Sequence, residues 1–240
     1  MLFIYQLLIT FLLLFSPLII FYRILKNKEH KTRYIEKFSV TSKKRYKGKL
    51  IWFHGASVGE IMSIIPLIKN YEKNKSINQI LITTSTLSSS KVLERFKFKK
   101  TVHQFYPIDH FFFTSKFLRF WRPSVAIFID SEIWPCMFKK IKDKNIPLVL
   151  LNARLTKKTF KRWMKIKYFS DSIFNKISIA YPQNIETKNF LRKLNLKKIK
   201  FIGNLKFIEN SEERFDKLKD KLQKEFRRKK IWVASSTHNG

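Results

Sequence analysis

Short apolar runs recur along this chain at 49–53, 79–83, 102–106, 125–129, 148–151, 177–181 and 200–202, and helix-length segments separate them. The helical stretches begin near Glu60, Ser88, Thr114, Pro135, Thr159 and Asn184. Strands that alternate with helices assemble into a parallel sheet covered on both faces, so the pattern predicts an α/β fold. Such sheets take ligands at the carboxyl ends of their strands. That rule collects 54–60, 83–90, 107–109, 130–135, 152–154, Gln183 and 203–206 along one rim.

The most pointed of these segments is Leu-Ile-Trp-Phe-His-Gly-Ala-Ser-Val-Gly-Glu at 50–60, an apolar strand that runs through two glycines onto a carboxylate. Met62, Ile64, Ile65, Leu67 and Ile68 then repeat at helical spacing, which places Glu60 in the first helical turn. A carboxylate there is favoured by the helix dipole and is placed like a general base. Spacing alone favours the other reading, a Ser57-x-x-Glu60 capping box. His54, at a strand end, reads as a structural histidine.

The formal net charge is +33, from 50 Lys and Arg against 17 Asp and Glu. A balance of that kind draws a chain toward anionic lipid or nucleic acid. No RNP-like, zinc or helix-turn-helix signature accompanies it, so no nucleic-acid partner is expected. The single Cys136 precludes an internal disulfide and has no metal-ligand spacing. The expectation is therefore a reducing compartment and no metal or cofactor.

Residues 2–22 carry no charge, and Gln6, Thr10 and Ser16 are their clearly polar side chains. A run of this length spans a bilayer as one helix. Arg23, Lys26, Lys28, Lys31 and Arg33 follow, which puts the downstream chain on the cytoplasmic side of the inner (plasma) membrane. The same run could instead pack on the globular part or lie in the interface.

The motifs taken together resemble one family, the Kdo transferases of lipopolysaccharide assembly. The resemblance runs through H-G-A-S-V-G-E at 54–60, T-T-S-T at 83–86, Y-P-I-D at 106–109 and D-S-E-I-W-P at 130–135. It continues with I-P-L-V-L-L-N-A-R-L-T at 146–156, G-N-L-K-F at 203–207 and S-S-T-H-N-G at 235–240. It implies a GT-B-type glycosyltransferase with two Rossmann-like domains, moving Kdo from CMP-Kdo to the lipid A precursor with inversion. The expected organisation is a membrane anchor at 1–22, an acceptor-binding domain at 23–208, a connecting helix at 209–230 and the start of a truncated CMP-Kdo-binding domain at 231–240.

The resemblance implies that Glu60 is the catalytic base. It implies that Lys206 stabilises the leaving phosphate, and it assigns a stabilising role to the position of Asp130, where the family usually has Glu. Ser57, Gly59, Glu132, Arg154 and Asn204 are the candidate acceptor-side residues, and Ser236, Thr237 and His238 the candidate donor-side ones. As i and i+2 on an extended strand end, Asp130 and Glu132 are expected to point the same way. Arg154 suits a lipid A phosphate or a structural ion pair. Where the family carries T-P-T-G, this chain has Thr86-Leu-Ser-Ser89. A chain ending at Gly240 is expected to bind acceptor without completing a donor site, and a membrane-anchored, non-catalytic acceptor-binding module is the alternative.

Overall fold

The computed structural model describes residues 1–205. Six strands, β1 (Leu50–His54), β2 (Gln79–Thr84), β3 (Thr101–Phe105), β4 (Val125–Ile129), β5 (Leu148–Ala153) and β6 (Ile179–Pro182), form one sheet. Its order is β3-β2-β1-β4-β5-β6 and every pairing is parallel. This is the doubly wound order in which strand succession reverses between β1 and β4. The expected α/β class with a parallel sheet is therefore present.

Strand residues alternate between two separate cores. Trp52 turns to one face, where it packs with Phe117, Phe128, Phe138 and Leu150 beneath α5 (Phe111–Trp121), α6 (Pro135–Asp143) and α8 (Lys167–Phe174). Phe53 turns to the other, with Ile61, Ile64, Ile68 and Ile82 beneath α3 (Val58–Lys73) and α4 (Leu87–Glu94). Burial on both faces explains why β2 is buried along its whole length, its apolar and polar side chains alike. The remaining helices, α7 (Lys157–Lys165) and α9 (Ile185–Lys193), flank β6.

The seventh apolar run, 200–202, is not a strand. One bridge joins Ala180 to Ile199, with the Lys200 amide donating to the Ala180 carbonyl, and the ladder stops there. The next bond would need an amide from residue 182, and Pro182 has none. Phe201 and Ile202 are left 45% and 55% exposed.

The N-terminal run is not one spanning helix either. It forms α1 (Leu2–Leu14) and α2 (Ser16–Leu25), bent by 57° at Phe15. Pro17 is the cause: it lacks the amide that would bond to Leu13, and its ring collides with that carbonyl. No single helix among the described residues is long and apolar enough to cross a membrane.

The polar side chains of α1 face the domain. Tyr5 Oη donates to Asp109 Oδ2 at 2.9 Å, Gln6 Nε2 meets Cys136 Sγ, and the Phe111 amide donates to Gln6 Oε1 at 3.3 Å. The other side leaves Phe3, Leu7, Phe11, Leu14, Leu18 and Phe21 exposed. Glu36 accepts the Phe105 amide at 2.8 Å and so covers the open edge of β3.

Candidate functional site

The site lies where β1 and β4 release their chains in diverging directions. Ser57 is the N-cap of α3, and its hydroxyl accepts the Glu60 amide at 3.3 Å while donating to Glu60 Oε1 at 2.7 Å. The other carboxylate oxygen accepts the Ala56 amide at 2.7 Å. Glu60 is thus a cap, and the same bonds fix its carboxylate at the rim. Gly55 makes room for it, since a Cβ there would come within 3.3 Å of Glu60 Cβ. At Gly59 a Cβ would meet nothing within 4 Å among the described residues.

Burial raises the Glu60 carboxyl above its ordinary range. The hydrogen bonds from Ser57 and Ala56 oppose that effect, whereas the nearby carboxylates of Glu132 and Asp130 add to it. Three carboxylates from the ends of β1 and β4 therefore share one field.

Glu132 is held from two sides. Its Oε2 accepts Trp134 Nε1 at 2.9 Å and lies 3.2 Å from Nε2 of the fully buried His54. Thr83 Oγ1 is 3.0 Å from His54 Nδ1. Nδ1 also lies 3.2 Å from the Thr83 carbonyl, so the ring is held at both nitrogens. The ring is stacked on Tyr106, centroids 3.9 Å apart. His54 is structural, as its place in the sequence suggests, and its partner across the rim is visible only in the fold.

Asp130 does not continue the strand. Its φ is +60°, in the left-handed region, so the extended-chain argument for a shared direction with Glu132 fails. Asp is among the few residue types that adopt this conformation readily. The Asp130 amide donates to the Leu151 carbonyl, its own carbonyl accepts the Arg154 amide at 3.3 Å, and Ser131 Oγ donates to Oδ1 at 3.1 Å.

Arg154 is exposed and forms no ion pair among the described residues. Asn152, also left-handed at φ +52°, accepts the Leu205 amide on Oδ1 at 3.1 Å. That bond brings the Gly203-Asn204-Leu205 turn to the end of β5. Asn152 belongs to the rim segment 152–154 that the strand pattern collects, and its bond to the Leu205 amide is visible only in the fold. Lys206, Ser236, Thr237 and His238, with the expected connecting helix and second domain, lie outside the described residues.

Asp109, from Y-P-I-D, is buried and accepts the Cys136 and Met137 amides at 3.0 and 2.8 Å. It caps α6 from a distant loop and so fixes the end of the segment that carries Asp130 and Glu132. Burial raises its carboxyl, against these bonds and that from Tyr5.

A family model described as 3-deoxy-D-manno-octulosonic-acid transferase (kdotransferase) matches residues 32–209. The 3-deoxy-D-manno-octulosonic acid transferase of Rickettsia prowazekii is 38% identical over 84% of this chain and 43% of its own length. That of Rickettsia felis is 40% identical over 80% and 41%. A probable mitochondrial transferase of the same name from Arabidopsis thaliana is 35% identical over 94% and 53%. The chain spans about half the length of these curated relatives. Among solved structures, UDP-GlcNAc 2-epimerase from Neisseria meningitidis is similar at 14% identity and a TM-score of 0.49, over 74% of this chain and 54% of that one. With the matched model covering most of the chain and its motifs meeting at the sheet's reversal point, the chain belongs to the 3-deoxy-D-manno-octulosonic acid transferase (Kdo transferase) family.

Proposed function

We propose that this chain is the acceptor-side half of an inverting glycosyltransferase of GT-B type that moves Kdo from CMP-Kdo to the lipid A precursor, with Glu60 as general base. The observation that carries this reading is the Glu60 carboxylate, fixed at the sheet's reversal point by two hydrogen bonds and raised above its ordinary range by burial and by Glu132 and Asp130. An acceptor hydroxyl gives its proton to Glu60 as its oxygen attacks the anomeric carbon of Kdo. The bond from that carbon to the phosphate oxygen of CMP breaks on the opposite face, and CMP leaves with the electron pair.

One base serves this displacement, and it needs no covalent sugar intermediate. Positive charge develops on the Kdo ring in the transition state, and the carboxylates of Asp130 and Glu132, which share a field with Glu60, would stabilise it. Lys206, Ser236, Thr237 and His238 would meet the donor phosphate. The open space over Gly59 and the exposed Arg154 suit the acceptor sugar and a phosphate on it.

The apolar outer side of α1 and α2, followed by basic residues, suits attachment to the cytoplasmic face of the inner membrane, where the acceptor resides. In this reading the pair lies in the interface as a bent strap, docked to the domain through Tyr5 and Gln6.

The test is transfer from CMP-Kdo to the tetra-acylated precursor in detergent by the full gene product, wild type against Glu60→Gln. Gln keeps the capping geometry and removes the base, so transfer should fall by about 10²–10⁴-fold with the thermal melt preserved. Undiminished transfer by the variant would remove Glu60 from the role.

A further inference from the structure

The segment at which this chain departs from the family pattern, Thr86-Leu-Ser-Ser89, opens α4 and forms one wall of a cleft of about 330 Å³. The opposite wall is the end of α2 and the turn beyond it, with Arg23 and Lys28, and Lys91 closes one side. Among the described residues no carboxylate lines the cleft. Glu29, the acid bonded to Arg23 at 3.1 Å, is also paired with Lys37, so it only partly offsets the positive charge. Lys28 and Lys91 are exposed and form no ion pair among the described residues.

The helix end adds donors to these cations. Thr86 Oγ1 accepts the Ser89 amide, while the Leu87 and Ser88 amides belong to the first turn, where no helix carbonyl reaches them. Anions are favoured at such an end. The cleft is also tied to the base. Thr86 Oγ1 and Ser89 Oγ donate to the Ala56 carbonyl at 3.2 and 2.9 Å, and the amide of that same residue holds Glu60 at 2.7 Å. A single residue separates the anion-favouring wall from the carboxylate, and the exposed apolar side of α2 leads up to its opening.

We propose that this cleft binds a phosphate monoester on the sugar headgroup of the acceptor glycolipid, with Lys28, Lys91 and the first turn of α4 as its ligands and Arg23 as the fixed charge behind them. Bound there, the phosphate sets which hydroxyl of the headgroup reaches Glu60. The assignment rests on the acceptor-binding reading above, and it predicts binding that needs no donor.

The experiment is flotation of the full chain with phosphatidylcholine vesicles containing the bisphosphorylated glucosamine-disaccharide precursor, its dephosphorylated form, or phosphatidate. Wild type should bind the phosphorylated glycolipid about tenfold more tightly than the dephosphorylated one. Lys28→Ala with Lys91→Ala should abolish that preference without changing binding to dephosphorylated vesicles, whereas Lys142→Ala with Lys144→Ala on the far side of the sheet should leave it intact. A preference retained in the Lys28/Lys91 variant overturns the site. Equal binding of phosphatidate and phosphorylated glycolipid by wild type overturns the acceptor assignment in favour of a bilayer headgroup. Because CMP-Kdo is absent from this assay, loss of the catalytic reading would appear in the Glu60→Gln transfer experiment and not here.

Discussion

His54 Nε2 stands 3.2 Å from Glu132 Oε2 and so joins the end of β1 to the loop after β4 across the point where the sheet reverses. The pair is the inner border of the site. On its outer side Glu60 receives the charge of Glu132, and on its inner side the ring of His54 is packed on Tyr106 and sealed from water.

That relationship predicts a pH effect. Because burial and its two carboxylate neighbours raise Glu60, the ascending limb of kcat/KM against pH should lie above the ordinary glutamate range. Glu132→Gln keeps an acceptor for Trp134 and removes one charge that raises Glu60. The limb should therefore move to lower pH in the full gene product, and an unmoved limb would show that Glu132 does not act on the base.

The left-handed backbone at Asp130 separates conformation from chemistry. Glycine enters that region without steric cost, so Asp130→Gly should match wild type in stability to within about 1 kcal/mol. Asp130→Val should lose about 2 kcal/mol, because a β-branched residue at positive φ is strained. Urea midpoints measure both. A glycine variant less stable than the valine variant would mean that the carboxylate, not the backbone, dominates stability there.

His103 should make the domain acid-sensitive. Burial, with Arg33 beside it, pushes the ring down to about 3 from 6.5. Its Nδ1 faces Arg33 Nη2 at 2.9 Å and its Nε2 faces Thr84 Oγ1 at 2.9 Å, an arrangement that suits the neutral ring. Between pH 6.5 and 3 the unfolded chain binds a proton that the folded one refuses, so stability is full above 6.5 and declines as pH falls. The share of this one group is about 2 kcal/mol by pH 5. Denaturant titrations at pH 7 and pH 5 should show that loss in wild type and a smaller one in His103→Gln.

Asp109 and Tyr5 should differ in cost. Asp109→Ala removes the acceptor of two α6 amides and of the Tyr5 hydroxyl, and about 2–4 kcal/mol of stability should go with it. Tyr5→Phe removes one bond and should cost about 1 kcal/mol. Proteolysis near residues 14–17 should accelerate in both if α1 is held to the domain through this contact; protection equal to wild type would argue that other contacts suffice.

Most of the sheet was legible before any coordinates, because central parallel strands are buried on both faces and must be written as continuous apolar runs. The run 125–129 coincides with β4, and 79–83 falls one residue short of β2. The failure at 200–202 has a cause outside the run itself, in the proline of the strand beside it. The failure at 2–22 was written in the chain at Pro17, whose effect depends on whether a bilayer-length helix or a docked bend is the better solution. Tyr5 and Gln6 bond to residues about a hundred positions away and so hold α1 against the domain.

Residue identity and spacing by themselves determined the family, the α/β class, and the placement of Glu60 in the first turn of a helix. All of these follow from local periodicity and from motifs that lie contiguous in the chain. Only the tertiary structure decided which carboxylates share a field with Glu60, that Asp130 turns left-handed, and that Arg23, Lys28 and Lys91 close around the start of α4. Electrostatic interaction depends on distance through space, and the strand order that brings the ends of β1 and β4 together, with β2 beside them, is set by packing across the whole sheet.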